Sequence, residues 1–123
     1  MKLFLSIAAI SGFLAVAIGA FGAHAVKDKL DANMLDVYKT GVQYQFYHTF
    51  AIIAIALLMR FFPEIKAFQW AGWLFVVGIV LFSGSLYALS LSGTTKLGIV
   101  TPFGGLSFLA GWAMLLIGAS KAI

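Results

Sequence analysis

Tyr44 and His48 stand one helical turn apart on one face of the stretch GVQYQFYHTFAIIAIALLMRFF, residues 41–62. Gln43 and Tyr47 repeat that spacing. An imidazole titrates near neutral pH, so His48 with Tyr44 as its partner has the makings of a proton relay. A histidine at a membrane boundary also has a plainer use, as a link between helices, bonded to a serine or backbone carbonyl of the third or fourth span. His24, His48 and Asp28 carry metal-ligand chemistry, yet no H-x-x-x-H or histidine–carboxylate spacing forces them together. No metal and no cofactor is therefore expected. Ser83, Ser85 and Ser90 offer hydroxyls without a G-x-S-x-G elbow and without any acidic residue inside the spans. Such serines more readily bond carbonyls of their own helix or pair between helices. No catalytic residue is expected, and the chain reads as a non-enzyme. What remains is a candidate polar cluster for binding: His24, Tyr44, His48, Ser83, Ser85, Tyr87 and Thr101.

The elements that must position these residues are membrane helices. The chain of 123 residues is 63% hydrophobic and 10% charged, and its mean hydropathy is +1.05. A soluble domain averages about 45–50% apolar and about 25% charged, so this chain belongs in a lipid bilayer. Its net charge of +4 comes from basic residues scattered over chain ends and loops. That pattern suits anionic headgroups and leaves no nucleic-acid footprint. The absence of cysteine rules out disulfides, thiolate metal sites and cysteine nucleophiles.

Four spans are expected at about residues 3–23, 42–62, 68–91 and 102–123, forming a single all-α transmembrane domain. Ala23-His24-Ala25 has the look of a signal peptidase site, but the apolar run before it is about twice the length of a signal core, so the first span is read as retained. An amphipathic connecting helix is expected at about residues 32–41, capped by Asp31, lying on the membrane surface or leading straight into the second span. Pro63 ends the second span, and the short turn after it implies an antiparallel neighbour. Phe68, Trp70 and Trp73 suggest an interfacial aromatic belt, and Thr101-Pro102 an N-cap followed by a first-turn proline.

Small residues line one face of the first span, including Gly12 and Gly19, and of the fourth, at Gly104, Gly111 and Gly118. Such stripes let backbones approach closely. Two of them exceed the evident needs of one four-helix bundle, so a homo-oligomer is expected.

Four spans place both termini and the second connection on one side, the first and third connections on the other. His24, the Gln43–Thr49 segment, Ser83–Ser92 and Thr101 then all fall toward the second of these sides, while the opposite half holds little beyond Ser6 and Ser11. Lys2, Arg60, Lys66 and Lys121 balance Lys27, Lys29, Lys39 and Lys96 across the membrane. The positive-inside rule is thereby tied. The short flanking segments around Lys2, Arg60 and Lys66 tip the expectation toward termini inside.

The segments Gly19-Ala-Phe-Gly-Ala-His24, Tyr44 to His48, Phe82-Ser-Gly-Ser-Leu-Tyr87 and Leu97-Gly-Ile-Val-Thr-Pro-Phe-Gly-Gly105 occur in this order along the chain. In them the sequence resembles domain-of-unknown-function family 423, the YwdK/YgdD-like small membrane proteins. The resemblance covers essentially the whole chain. It implies a four-span protein, found mostly in bacterial membranes, and hence a multi-pass plasma-membrane location. It carries no catalytic or ligand residues across.

The functional expectation is a non-enzymatic protein that binds or assembles through its polar half, with itself, another membrane protein or lipid. The alternative is a small oligomeric channel or transporter for a small solute or ion, its path lined by Tyr44, His48, Ser85 and Thr101. The two differ in whether the polar half is wet.

Overall fold

The structure is a computed structural model, and it describes residues 1–122; Ile123, the last residue of the expected fourth span, lies outside the described residues. Helix α1 (Lys2–Phe21) runs on through a π-helical turn, Gly22–Val26. Helix α2 spans Ala32–Phe61, and α3 (Lys66–Gly78) continues through a second π-helical turn, Ile79–Ser83, into α4 (Gly84–Ser92). A 3-10 turn at Thr95–Ile99 leads into α5 (Thr101–Ala122). These elements make four rods long and apolar enough to cross a membrane. The all-α bundle expected from composition is what the chain forms.

Local chemistry sets the ends. Asp31 Oδ1 accepts the Met34 N–H at 2.7 Å, capping α2 as expected. No break separates the amphipathic turns from the second span: α2 is one helix of 30 residues, about 45 Å long, and its first turns project beyond a hydrocarbon layer of about 30 Å. The connecting helix expected at residues 32–41 is thus the head of the second span itself. Gly93, with φ 73°, closes α4 in the left-handed region that glycine adopts without penalty. Thr101 departs from its expected role. It lies inside the first turn of α5, and its hydroxyl meets Ser85 Oγ at 2.6 Å.

α1 packs on α2, α3 packs on α5, and α2 joins the two pairs through α3, the second π-helical turn and α4. The antiparallel α3–α5 seam has a simple grammar in which rings sit on glycines. A Cβ at Gly118 would strike the Phe68 ring, one at Gly111 the Phe75 ring and one at Gly78 the Phe108 ring, while one at Gly104 would strike the backbone of Phe82. Phe68, Phe75 and Phe82 recur every seven residues, as do Gly104, Gly111 and Gly118. The two heptads run antiparallel and mesh.

Phe68 is consequently fully buried and does not belong to the interfacial belt; Trp70 and Trp73 do remain exposed. Elsewhere Phe4 sits on Gly72, Tyr38 on Gly22 and Tyr87 on Gly41. The stripe on α1 faces α2, where Ala8 and Ala15 are buried and a Cβ at Gly19 would come within 3.3 Å of Val42. Both small-residue stripes are therefore occupied within a single chain. The ground for expecting a homo-oligomer disappears with them, because the close approach they permit has already happened between neighbouring spans.

Candidate functional site

The polar residues of the helix interior sort into separate clusters. The most connected is centred on Gln45. Its Nε2–H donates to the Ser11 carbonyl at 2.9 Å and lies 3.3 Å from Ser11 Oγ, while its Oε1 accepts the Tyr87 hydroxyl at 2.6 Å. Ser11 Oγ in turn meets Thr49 Oγ1 at 2.7 Å. One amide thus ties α1, α2 and α4 together. Ser11, Gln45 and Thr49 are all buried. Ser11 lies nine residues beyond Lys2, about 13 Å along the helix and near the middle of a bilayer. Topology places Ser11 in the apolar half; its partners bring it into the polar network.

Around this centre, Tyr38 packs against Tyr87 with ring centroids 5.6 Å apart, and its hydroxyl donates to the Ile18 carbonyl at 2.6 Å. Ser83 Oγ donates to the Gly41 carbonyl at 2.7 Å. That carbonyl belongs to the turn on which the Tyr87 ring rests. Ser85 bonds Thr101 across α4 and α5, and also the Phe82 carbonyl at 2.9 Å. The Phe82 carbonyl lies in the π-helical turn, where the widened backbone departs from the regular helical bonding pattern.

His48 occupies a third environment. Its ring lies flat on Phe108, centroids 3.5 Å apart and planes 8° from parallel. Trp112 Nε1–H donates to His48 Nε2 at 3.1 Å, and His48 Nδ1 lies 2.7 Å from the Tyr44 carbonyl. An indole nitrogen can only donate, so Nε2 must accept and Nδ1 must carry the proton. This is a neutral imidazole with both nitrogens engaged. Its partners differ from the expected serine or carbonyl of a neighbouring span: one is its own helix, the other a tryptophan of α5. Tyr44 contributes a carbonyl to His48, while its ring packs at a tilt against Phe82, centroids 4.6 Å apart, and stays partly exposed.

Of the seven residues singled out from the sequence, His48, Ser83, Ser85, Tyr87 and Thr101 make bonds between or along helices, in distinct clusters. Tyr44 borders a surface groove, and His24 stands exposed on the turn after α1, apart from the rest. Among the described residues no three of His, Cys, Asp and Glu converge on one point. Sequence reasoning passed over Ser11, Gln45, Thr49 and Trp112 as individual partners. Ser11 carried the available signal: a hydroxyl in mid-span must find a partner inside the protein, and Gln45 and Thr49 are polar groups on the adjacent span.

The family described as "Protein of unknown function (DUF423)" matches residues 18–105, which hold most of these polar positions. The chain belongs to this family. Its similarity to relatives runs end to end. It is 45% identical to the UPF0382 membrane protein YwdK of Bacillus subtilis over 121 residues, covering 98% of each chain. It is 48% identical to the UPF0382 inner membrane protein YgdD of Escherichia coli K12 over 120 residues, 98% of this chain and 91% of that one. To the UPF0382 membrane protein SSP2132 of Staphylococcus saprophyticus it is 43% identical over 121 residues. No solved structure matches the chain. As a DUF423 member with four apolar rods, the chain is a multi-pass protein of the bacterial plasma membrane.

Proposed function

We propose that this DUF423 protein acts by binding or assembly within the membrane, and neither catalyses a reaction nor carries a solute through its interior. One observation bears most of the weight. Among the described residues, every buried side-chain nitrogen and oxygen has a hydrogen-bond partner inside the chain. His48 has no free nitrogen to serve as a base, and Ser11, Ser83 and Ser85 all hold partners. A solute path needs polar groups that exchange partners with water or cargo. Here they are bonded to one another beneath close-packed rings.

One surface open to contact is a groove of about 790 Å³ between α2 and α5, with Tyr44, Tyr47, Phe82, Leu106, Leu109 and Trp112 on its walls. An apolar, aromatic wall of this kind suits another transmembrane segment, from a second copy or from another membrane protein.

The missing cysteines make the test direct. Ser11→Cys and Ser83→Cys keep the size of the side chain and sit in the bonded interior; Thr94→Cys sits in an exposed turn. In native membranes, a membrane-impermeant thiol reagent applied from either side is expected to label Thr94→Cys alone. Labelling of Ser11→Cys or Ser83→Cys would reveal a wet interior and put the channel or transporter in place of this reading. For the contact surface, thiol cross-linking at Leu109→Cys is expected to give higher-mass species that Val16→Cys, lipid-facing on α1, does not. Monomer from both would remove assembly through the groove.

A further inference from the structure

Where α1 ends and α2 begins, a second crevice of about 480 Å³ opens between the two helices. Two independent rulers give its depth. A hydrocarbon layer of about 30 Å takes about 20 helical residues. Counted from Lys2 at the other end of α1 it ends near Gly22; counted back from Arg60 on α2 it ends near Thr40. Gly22 and Thr40 both line the crevice. It therefore straddles the boundary between hydrocarbon and headgroups.

Its walls change chemistry along that direction. Gly19, Val42 and Phe46 make the deeper, apolar part. Above them on one face of α2 come Gln43, Lys39 and Asp36, all exposed, spaced about one turn apart and running from the boundary out toward water. On the facing side α1 contributes only the small residues Gly19, Gly22 and Ala23 to the wall, with Tyr38 seated over Gly22 and Val42 close to Gly19.

We infer that this crevice is a binding site for a phospholipid with a primary-amine zwitterionic headgroup, of the phosphatidylethanolamine class. The order of groups on α2 follows the order of groups in such a lipid. The acyl chain meets Val42 and Phe46, the ester carbonyls meet the Gln43 amide, the phosphate meets the Lys39 ammonium, and the terminal ammonium meets the Asp36 carboxylate. Lys39 and Asp36 are separated by three residues, about 4.5 Å of helical rise, so the outer charge lies beyond the inner one as it does in the headgroup. Asp36 supplies the selectivity. A primary ammonium donates hydrogen bonds to a carboxylate, which a trimethylated amine cannot do, and an anionic phosphatidylglycerol brings no cation to offset Asp36. The site lies on the outer face of the helices and does not depend on the interior being dry.

The full chain, purified in detergent and offered equimolar phosphatidylethanolamine and phosphatidylglycerol of matched acyl chains, is read out by native mass spectrometry of the retained lipid. The wild-type chain is expected to retain phosphatidylethanolamine over phosphatidylglycerol by roughly 1.5- to fivefold, the range an exposed charge pair supports. Asp36→Asn is expected to abolish the preference, and Lys39→Gln to lower retention of both lipids. Both side chains are exposed, and neither makes a side-chain contact in the interior network, so the variants keep the bundle intact. Equal retention by the wild-type chain, or a preference unchanged in Asp36→Asn, overturns the site.

Discussion

Replacing Gln45 by leucine would strand the Tyr87 hydroxyl on α4 and remove the donor from Ser11 on α1, both inside the bundle. The cost of leaving such groups unpaired is about 1–3 kcal/mol. Tyr87→Phe removes the stranded hydroxyl, so the double variant Gln45→Leu/Tyr87→Phe should be less destabilised than the two single changes added together. The coupling between polar groups in membrane helices averages about 0.6 kcal/mol and reaches about 1.7. Equilibrium unfolding in mixed micelles measures it; strict additivity would mean that the amide and the phenol do not act as a unit. His48 obeys the same logic with fewer partners. Trp112→Phe empties only Nε2, which lies beside a half-exposed indole, so its effect should be smaller than that of Gln45→Leu.

Between helices the decisive quantity is distance, and glycine sets it. Gly104 meets the backbone of Phe82, which cannot rotate aside, whereas a Cβ at Gly12 would rest 3.6 Å from the Thr49 methyl in ordinary contact. Gly104→Ala is expected to destabilise by about 1–3 kcal/mol through overpacking, and Gly12→Ala to change stability little. Thermal denaturation in detergent distinguishes them; equal effects would show that the α3–α5 seam tolerates separation. The stripes were visible in the sequence as spacing alone. Their partners were not, because a glycine row fits a second copy, a neighbouring span or lipid equally well. The matching heptad of Phe68, Phe75 and Phe82 was the readable hint, hidden by the habit of assigning an aromatic residue near a span end to the interface.

Across the whole molecule, four spans put the α2–α3 link and the α4–α5 turn on opposite sides. Glu64→Cys and Thr94→Cys should therefore react with an impermeant thiol reagent from opposite faces of the membrane. With the termini inside, intact cells should label only Thr94→Cys. Labelling of Glu64→Cys alone would reverse the orientation, and labelling of both would show a mixed population. Balanced basic residues leave this to the short segments around Arg60 and Lys66. The bundle itself is asymmetric in packing. α1 reaches α3 through Phe4 on Gly72 and Trp73, while its outer end leans on α2, where the Tyr38 hydroxyl bonds the Ile18 carbonyl and the Tyr38 ring covers Gly22 beside the crevice.

The sequence by itself determined the class and the number of spans. Hydropathy over about 20 residues is a sum that needs no knowledge of neighbours; Asp31 acts through its own side chain on the adjacent turn, and Pro63 and Gly93 through their own backbones. It also made visible the family and the concentration of polar groups toward one side. Only the tertiary structure decided which partners those groups take. Whether a hydroxyl in mid-span is glue, ligand or pore depends on which atom of another helix lies within about 3 Å, and periodicity does not encode that. Ser11 with Thr49, Trp112 with His48 and the rings seated on their glycines are contacts between distant residues of the chain, fixed by the way the rods are turned against each other.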